Sequence, residues 1–316
     1  MKQAVVVTTI NPITEALEAF AEIEDWDLIV VGDTKTPEES YNGLNGTYMS
    51  PGMQEDLYPE LSELLGWKTV DRRNLGFLYA YEQGAEVVAM VDDDNIPHEN
   101  WGKNLLLNKD VKVEEYEAEM VFDPFIRAVE NGKVNDGGDL SRLWHRGFPI
   151  ELVEERTCNN IGTTTINPLV QAELWEDDPD VDAVCRMKYN PRGFTTDFPF
   201  FTTRAFSPFN MQNSMVAREA LKYVISIPFT GRMCDIWGAY YFQAHCPGRT
   251  VYGPPTVVHT QERSWESLVF DMEEEILGYR STLALLKDLL KDPESIHKYI
   301  PTEASVFIKE YQKYFD

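Results

Sequence analysis

Short, nearly continuous apolar runs alternate with helical segments over the first third of the chain. The runs are Ala4–Ile10, Asp27–Val31 and Glu86–Val91, and they are rich in β-branched residues, which is typical of strands covered on both faces. A helical pattern over Arg73–Gly84 leads into the third run. Strand–helix–strand units of this length predict a parallel, doubly wound sheet, with a ligand crevice at the carboxyl ends of its strands.

The second half of the chain has a weaker pattern. We expect helices over Pro168–Leu174 and Met233–Ala244, a strand over Phe209–Val216 between them, and helices from Glu262 onward. No internal repeat or interdomain linker is evident. The sequence therefore predicts a single α/β domain with a C-terminal helical tail. The expected divisions are residues 1–260 for the domain, with a nucleotide-binding half at 1–95 and an acceptor or catalytic half at 96–260, and residues 261–316 for the helical extension.

The net charge excludes several classes of partner. The 316 residues include 28 Lys and Arg against 53 Asp and Glu, which gives a formal net charge of −25. Such a surface repels nucleic-acid phosphates and anionic lipid headgroups, so we expect neither as a partner. An anionic substrate such as a nucleotide diphosphate therefore requires a metal ion or a few placed arginines.

The sequence predicts a cytoplasmic protein. Its first residues run directly into a strand pattern without the basic and apolar regions of a signal peptide. No stretch approaches the roughly 18 apolar residues of a membrane span. The four cysteines are widely spaced and form no Cys-x-x-Cys pair, so we expect reduced thiols rather than a zinc site or disulfides. The sequence leaves homo-oligomer formation open.

Three consecutive acidic residues of the DXD type follow the third strand directly. Asp92, Asp93 and Asp94 repel one another unless a cation lies among them. Their hard oxygen ligands suit Mg²⁺ or Mn²⁺, with phosphate oxygens completing the shell. Because side chains alternate along an extended backbone, Asp92 and Asp94 should face one way and Asp93 the other. We expect Asp94 on the metal, Asp92 on the ribose or on the metal through a water, and Asp93 also among the nucleotide contacts; the alternative is a solvated acidic turn.

Two further segments are candidates for nucleotide contacts. Arg72 and Arg73 open the helix before the third strand, where guanidinium groups and a helix N-terminus suit diphosphate oxygens. The alternative is an arginine pair that bridges surface carboxylates. Asp33 and Lys35 follow the second strand and are expected to meet the base and ribose, unless Asp33 only caps a turn.

Three residues of the second half are candidates for catalysis, sugar stacking and metal binding. Asp235 begins an apolar helix and could receive the proton of an acceptor hydroxyl or bind that hydroxyl, or it could simply cap that helix. Trp237 offers a stacking face for a sugar ring, or a core side chain. His259 is expected to complete the metal shell as a neutral imidazole, and the alternative is a structural histidine.

Two compact segments carry groups suited to sugar hydroxyls. In Arg146-Gly147-Phe148-Pro149 the glycine permits a close backbone approach. In the second segment, the amides of Asn210, Gln212 and Asn213 offer donors and acceptors, so we expect them to contact the acceptor or the sugar. Loop packing is the alternative for both segments.

Taken in order, these segments resemble the glycosyltransferase domain of the plant STELLO proteins. The matching stretches are Val6–Pro12, Val30–Pro37, Arg73–Ala80, Asp92–Asn95, Arg146–Pro149, Asp180–Ala183, Pro208–Asn213, Cys234–Trp237 and Pro254–His259. The resemblance covers nearly the whole chain. It implies a GT-A fold, a nucleotide-sugar donor that is UDP-linked, and a divalent cation, and it adds Thr8 and Asn74 to the expected nucleotide contacts. No transmembrane anchor is evident in this sequence, so Golgi residence is not carried over.

A more distant resemblance is to the reversibly glycosylated polypeptides, which include UDP-arabinopyranose mutases. They also carry an acidic triplet and an Arg-Gly-aromatic-Pro segment, in which the arginine is linked to self-glycosylation. By this resemblance alone, Arg146 is a catalytic candidate.

Together these features predict a metal-dependent glycosyltransferase that moves a hexosyl or pentosyl group from a UDP-sugar to an unidentified acceptor, a glycan or another hydroxyl compound. Asp235 would act as the base if the anomeric centre inverts, and retention stays open. One alternative is a sugar-nucleotide mutase or self-glycosylating protein that uses Arg146. The other is a non-catalytic protein of the same fold that binds a partner.

Overall fold

The computed structural model describes residues 2–135, 140–261 and 263–315. Its strands form an 11-stranded sheet. The strands are β1 (Gln3–Thr9), β2 (Trp26–Gly32), β3 (Thr47–Met49), β4 (Val87–Asp92), β5 (Asn95–Pro97), β6 (Val111–Glu117), β7 (Asn159–Ile166), β8 (Val170–Asp177), β9 (Phe201–Thr203), β10 (Asn213–Ala217) and β11 (Thr250–His259). The α-helices are α1 (Glu15–Ala21), α2 (Pro51–Leu57), α3 (Pro59–Leu65), α4 (Arg73–Glu82), α5 (Pro124–Ala128), α6 (Ala183–Tyr189), α7 (Cys234–His245), α8 (Trp265–Leu289) and α9 (Thr302–Gln312).

The first part of the sheet is parallel, as the sequence predicts. Its order is β3-β2-β1-β4, with every neighbouring pair parallel. Helix α4 packs on β1 and β2. Gly76 makes this contact so close that a Cβ atom there would lie 2.5 Å from Cγ1 of Val6 and 2.7 Å from Cγ2 of Val31. The missing side chain therefore lets α4 lie directly on the sheet.

Beyond β4 the sheet is mixed rather than parallel. Strand β10 is antiparallel to both β4 and β8, and β11 is parallel to β8. The predicted α/β class, central sheet and C-terminal helices are confirmed, and the parallel character belongs mainly to the first part. The strand expected over Phe209–Val216 begins only at Asn213, and the helix expected over Met233–Ala244 is α7.

The helix expected over Pro168–Leu174 is wrong, because this segment enters strand β8. Its Ala, Leu, Glu and Gln residues favour helices, but pairing with β10 and β11 overrides that preference. The polar side chains of β8 are buried and have partners. Gln171 accepts a hydrogen bond from the backbone of Leu106 (2.8 Å) and donates one to Glu173 (2.6 Å). From the sequence alone, a strand with these residue types is predicted to be an amphipathic helix.

The C-terminal helices are docked on the domain that carries the sheet. Helix α8 begins with a capping box, in which Ser264 and Ser267 exchange hydrogen bonds between side chain and backbone. It packs against α6 and α7. A boundary at residue 260 stays a prediction. Within the described ranges, no helix is both long and apolar enough to cross a membrane.

Candidate functional site

A cleft of about 770 Å³ opens where the parallel strands β1, β2 and β4 end. Its lining continues along the segment before α4, the start of α7 and the first turns of α8. The cleft brings together most of the residues predicted from the sequence. They are Thr8, Asp33, Lys35, Arg72, Arg73, Asp92, Asp93, Asp94, Arg146, Gln212, Asp235 and His259.

Asp92 is joined to the first turn of α4 by an ion pair. Its Oδ1 lies 2.8 Å from Nη2 of Arg73, whose Nη1 donates to the carbonyl oxygen of Met211 at 2.9 Å. Burial raises the pKa of Asp92 above its usual value, although Arg73 opposes the rise. The pair fixes both side chains at the cleft, so much of the hydrogen-bonding capacity of Arg73 is already used within the protein.

Asp93 is bonded to the end of β1 and the loop that follows it. Its Oδ2 accepts hydrogen bonds from Oγ1 of Thr9 and from Nδ2 of Asn11 (2.9 Å). Its carbonyl oxygen accepts another from Oγ1 of Thr14 at 2.6 Å. These bonds tie the turn after β4 to the start of α1, so the acidic run is not a freely solvated turn.

Asp94 and His259 form the pair of side chains best suited to a metal ion. Oδ2 of Asp94 lies 3.4 Å from Nε2 of His259. Oδ1 of Asp94 is buried and has no hydrogen-bond partner among the described residues. The carbonyl oxygen of Asp178 can only accept, so its 2.8 Å contact makes Nδ1 of His259 the donor and leaves Nε2 facing Asp94. Burial lowers the pKa of His259 and Asp94 raises it, with a net upward shift.

Two such ligands fit a cation that also binds phosphate. The described part of the chain contains no group of three or more His, Cys, Asp and Glu side chains placed to hold a metal. Mg²⁺, however, is commonly bound through one or two carboxylates together with waters and substrate phosphates, and Asp94 supplies one such carboxylate. A carboxylate oxygen without a partner, beside an oriented imidazole, matches that requirement.

Arg146 is the centre of a buried ion-pair network. Its Nη1 and Nη2 bind Oδ1 and Oδ2 of Asp235, each at 2.9 Å, and its Nε binds the Asp180 carboxylate at 2.8 and 3.0 Å. Nη1 also donates to the carbonyl oxygen of Arg232. Burial alone would raise the pKa of Asp180 and Asp235, but the guanidinium holds both below their usual values. Both carboxylates therefore stay charged at neutral pH.

Gly147 allows this network to lie against α7. Its φ is +81°, in the region that favours glycine, and a Cβ atom there would lie 2.2 Å from Cγ2 of Ile236. The hydroxyl of Tyr240 donates to the carbonyl oxygen of Gly147 at 3.0 Å. The glycine therefore sets how closely the Arg146 segment approaches the first turn of α7.

The guanidinium of Arg72 is bonded to the protein around the cleft. Nε donates to Gln54 (2.7 Å), Nη2 to the side chain of Ser62 (2.8 Å) and Nη1 to the carbonyl oxygen of Gly66 (2.6 Å). Its plane stacks on Trp67, with 3.4 Å between the guanidinium carbon and the ring centroid. Burial lowers its pKa to about 10, so it remains charged at neutral pH. Arg72 thus supports the wall that contains Trp67.

Four of the predicted site residues are buried outside the cleft lining. They are Asn74, Asn210, Asn213 and Trp237. Each side chain is hydrogen-bonded within the protein. Asn74, for example, donates to the carbonyl oxygen of Ser226 (2.7 Å), and Asn210 donates to Asp180 (2.6 Å). These bonds account for the four residues as parts of the packing, and their contacts with nucleotide or sugar stay predictions.

Several side chains of the cleft are missing from the sequence-based prediction. They are Trp67, Lys68, Asp180, Phe229, Arg232, Arg263, Phe270 and Glu274. Asp180 does have a signal, because it lies three residues after the end of β8. The helix expected over Pro168–Leu174 hides that strand end. Phe270 and Glu274 have none, because the sequence places α8 in a separate extension.

Comparison with known proteins supports a relationship along nearly the whole chain. No family model matches it. The probable glycosyltransferase STELLO2 of Arabidopsis thaliana is 24% identical over 323 residues, which cover 95% of this chain and 40% of that protein. The probable glycosyltransferase STELLO1 of the same plant is 25% identical over 186 residues, or 57% of this chain and 24% of that protein. The chain thus spans less than half the length of these relatives.

Among solved structures, the chain is similar to glucosyl-3-phosphoglycerate synthase from Mycobacterium tuberculosis in complex with Mn²⁺, UDP-glucose and phosphoglyceric acid. The TM-score is 0.47 and the identity 12%, over 89% of this chain and 79% of that one. A197 from STIV matches with a TM-score of 0.37 and 10% identity, over 83% and 87% of the two chains. Structural likenesses of this size carry no argument about chemistry. The sequence matches confirm the resemblance found in the motifs, since this chain is similar to the two probable glycosyltransferases STELLO1 and STELLO2.

Proposed function

We propose that this chain is a metal-dependent glycosyltransferase that takes a sugar from a UDP-sugar and passes it to a hydroxyl group of an acceptor. The observation that carries the proposal is the pair Asp94 and His259, with an unpartnered carboxylate oxygen, at the carboxyl end of the central strand β4. The pair lies in a cleft of about 770 Å³. That volume falls within the range of about 300–1,000 Å³ that small-molecule sites occupy.

Asp94 and His259 would hold the cation, which would neutralise the leaving diphosphate. Lys35 and Lys68 also line the cleft, and both are exposed. Neither forms an ion pair with a described residue, so both amines are available to an anion. In a chain with a net charge of −25, these side chains supply the local positive charge that a nucleotide diphosphate requires.

The base and ribose would lie along the wall formed by the end of β2 and the segment before α4. Asp33 is held there by the backbone amide of Lys68, which donates to its Oδ2 at 2.7 Å. Trp67 presents an aromatic side chain to the same cleft. An aromatic face and a fixed carboxylate suit a planar base and its hydroxylated sugar.

Asp235 is poorly placed to act as a base in this reaction. Both of its carboxylate oxygens are bonded to Arg146, and its pKa is held below the usual value. A general base works best with a pKa near the operating pH. We therefore assign the Arg146–Asp235 pair to the support of the cleft, and inversion and retention both remain compatible with the site.

Self-glycosylation at Arg146 is the less favoured function. The guanidinium is buried between two carboxylates, which raise its pKa well above the usual value despite burial. A permanently charged guanidinium is a weak nucleophile. Peptide mass spectrometry after incubation with UDP-sugars tests this alternative, and a hexose or pentose on Arg146 would establish it.

The proposed donor site is tested by calorimetric titration with UDP, with and without Mn²⁺. We expect binding that depends on the metal and is lost in Asp94→Ala and weakened at least about tenfold in His259→Ala. The matched control is Asp25→Ala. Asp25 is exposed and directly precedes the first residue of β2, at the end of the strand away from the cleft. If UDP binds equally well with and without Mn²⁺, or still binds to Asp94→Ala, the metal site is removed from the proposal.

Turnover is tested by measuring UDP release from a panel of UDP-sugars, with and without added acceptors. Release that requires Mn²⁺ and Asp94 supports the transferase. Tight metal-dependent binding without hydrolysis or transfer would instead favour a non-catalytic protein of this fold.

A further inference from the structure

The wall of the cleft formed by α8 and the loop before α7 has a different character from the rest. Phe229 and Phe270 both line the cleft and are 49% and 60% exposed. Glu274 lines the same wall. Each exposed phenyl ring leaves a large apolar area in contact with water, which a bound ligand would cover. Two such rings in a lining that also contains a carboxylate therefore indicate a ligand-binding site.

The two segments that carry these three side chains contact each other. Phe270 precedes Glu274 by four residues on α8, so the two lie on the same helical face. The loop that carries Phe229 crosses α8 at Glu274. Gly231 in that loop has a φ of +58°, and a Cβ atom there would lie 2.6 Å from the carbonyl oxygen of Glu274 and 2.7 Å from its Oε2. This contact fixes the loop against the helix beside the carboxylate.

Phe229 has a strained backbone conformation. Its φ is +63°, in the left-handed region that a bulky side chain rarely adopts. Strained residues of this kind cluster at functional sites, where the surrounding structure imposes the conformation. Here the strain holds a half-exposed ring in the cleft rather than in the core.

Glu274 is also distinct among the carboxylates of the cleft. The carboxylate of every aspartate that lines the cleft forms a hydrogen bond or an ion pair within the protein. Glu274 is the only carboxylate in the lining whose side chain forms no hydrogen bond or ion pair with a described residue. It therefore has acceptor capacity for a ligand.

We infer that Phe229, Phe270 and Glu274 form an acceptor subsite that binds a sugar ring of a neutral glycan. This inference rests on the proposed transferase function. A sugar ring combines C–H faces, which pack on aromatic rings, with hydroxyl groups, which donate to a carboxylate. A phosphorylated ligand is disfavoured by the charge of Glu274, and an alkyl chain would desolvate that carboxylate without a hydrogen bond. The acceptor of the reaction is therefore a neutral saccharide.

The test is saturation-transfer NMR with unbranched hexasaccharides of glucose, xylose, mannose and N-acetylglucosamine, with Mg²⁺ and with or without UDP. We expect signals from at least one hexasaccharide with the wild-type protein. These should fall at least about fivefold in Phe229→Ala, Phe270→Ala and Glu274→Gln. Trp265→Ala removes an aromatic side chain that is more exposed (71%) on the same helix but outside the cleft lining, and it should leave the signals unchanged.

Absence of binding by all four hexasaccharides, or binding that survives both phenylalanine variants, overturns the inference. UDP affinity is measured on the same samples. UDP binding without saccharide binding refutes the subsite and leaves the transferase proposal standing. Saccharide binding without UDP binding refutes the proposed donor site, and the three side chains would then form a saccharide site but not an acceptor subsite.

Phe229→Gly separates a binding role from a packing role. Glycine relieves the positive φ and removes the ring, so the midpoint of thermal unfolding should rise by about 2 °C while saccharide binding is lost. A lowered midpoint together with lost binding would assign Phe229 to packing and count against the subsite.

Discussion

Arg146 and Asp235 form a two-point ion pair in which both nitrogen–oxygen distances are 2.9 Å. Their side chains are only 6% and 10% exposed. The pair joins the segment before Gly147 to the first turn of α7, and Asp180 completes it from the other side of the guanidinium. The atoms that a general base or an arginine nucleophile would use are thus the atoms that hold this part of the fold together.

Replacement of Asp235 by Asn should therefore change stability more than chemistry. Loss of the buried charge leaves Arg146 with one carboxylate, and we expect the free energy of unfolding to fall by about 2–3 kcal/mol. Turnover per folded molecule should stay within about tenfold of wild type. Urea unfolding and UDP release measure the two effects.

Asp180→Asn is the matched control, because it removes the other carboxylate of the same guanidinium. Similar losses of stability in both variants fit a shared supporting role. A fall in turnover of more than about a hundredfold in Asp235→Asn alone, with stability preserved, would restore Asp235 as the base.

The features predicted correctly from sequence are those that local pattern determines. Strand β4 is a continuous apolar run that ends on Asp92, so both the strand and its position in a parallel sheet follow from periodicity. The acidic run then falls at a strand end without knowledge of any distant contact.

Features that depend on contacts between distant segments could not be predicted. Arg72 and Arg73 are adjacent in sequence, yet one contacts Gln54 and the other Asp92. Sequence spacing does not show which partner each will meet. Strand β8 carries polar residues whose partners lie in other segments. Helix α8 forms part of the cleft wall because it docks beside α7, far away in sequence from the first strands. These outcomes depend on tertiary packing rather than on local propensity.

Arg72→Met tests whether this guanidinium supports the wall or binds phosphate. Because its donors are used by Gln54, Ser62 and Gly66, we expect the free energy of unfolding to fall by about 2 kcal/mol. UDP affinity should change by less than about threefold. Calorimetry on the folded variant measures the second effect.

Lys68→Met is the matched variant for Arg72→Met, because it removes an exposed cation from the same cleft. It should weaken UDP binding by about three- to tenfold with little change in stability. If Arg72→Met instead lowers UDP affinity more than tenfold at unchanged stability, Arg72 is a phosphate ligand.

Gly147→Ala should be strongly destabilising, because alanine meets two obstacles there. The backbone has a φ of +81°, and the new Cβ would lie 2.2 Å from Cγ2 of Ile236. We expect a loss of about 2–4 kcal/mol in urea unfolding. Gly43→Ala is the control, because its φ is +91° but nothing lies within 4 Å of a Cβ atom, so it should cost only about 1 kcal/mol. A second change, Ile236→Ala, removes the clashing atom and should make the double variant less unstable than the sum of the single losses.

Glu173 should make stability depend on pH in the neutral range. Burial raises its pKa to about 7, although Thr256 and Gln171 donate hydrogen bonds to it. In the unfolded chain Glu173 loses its proton near pH 4.3, whereas in the folded state it keeps the proton up to about pH 7. The free energy of unfolding therefore falls as the pH rises from about 4 through 7.

Glu173→Gln removes that dependence. The free energy of unfolding of the variant minus that of the wild type, measured in urea, should be about 2 kcal/mol larger at pH 8 than at pH 5. Glu99→Gln, at an exposed site, should show the same difference from wild type at both pH values. An equal effect of Glu173→Gln at pH 5 and pH 8 would mean that Glu173 is already ionised throughout this range, and that its two donors outweigh its burial.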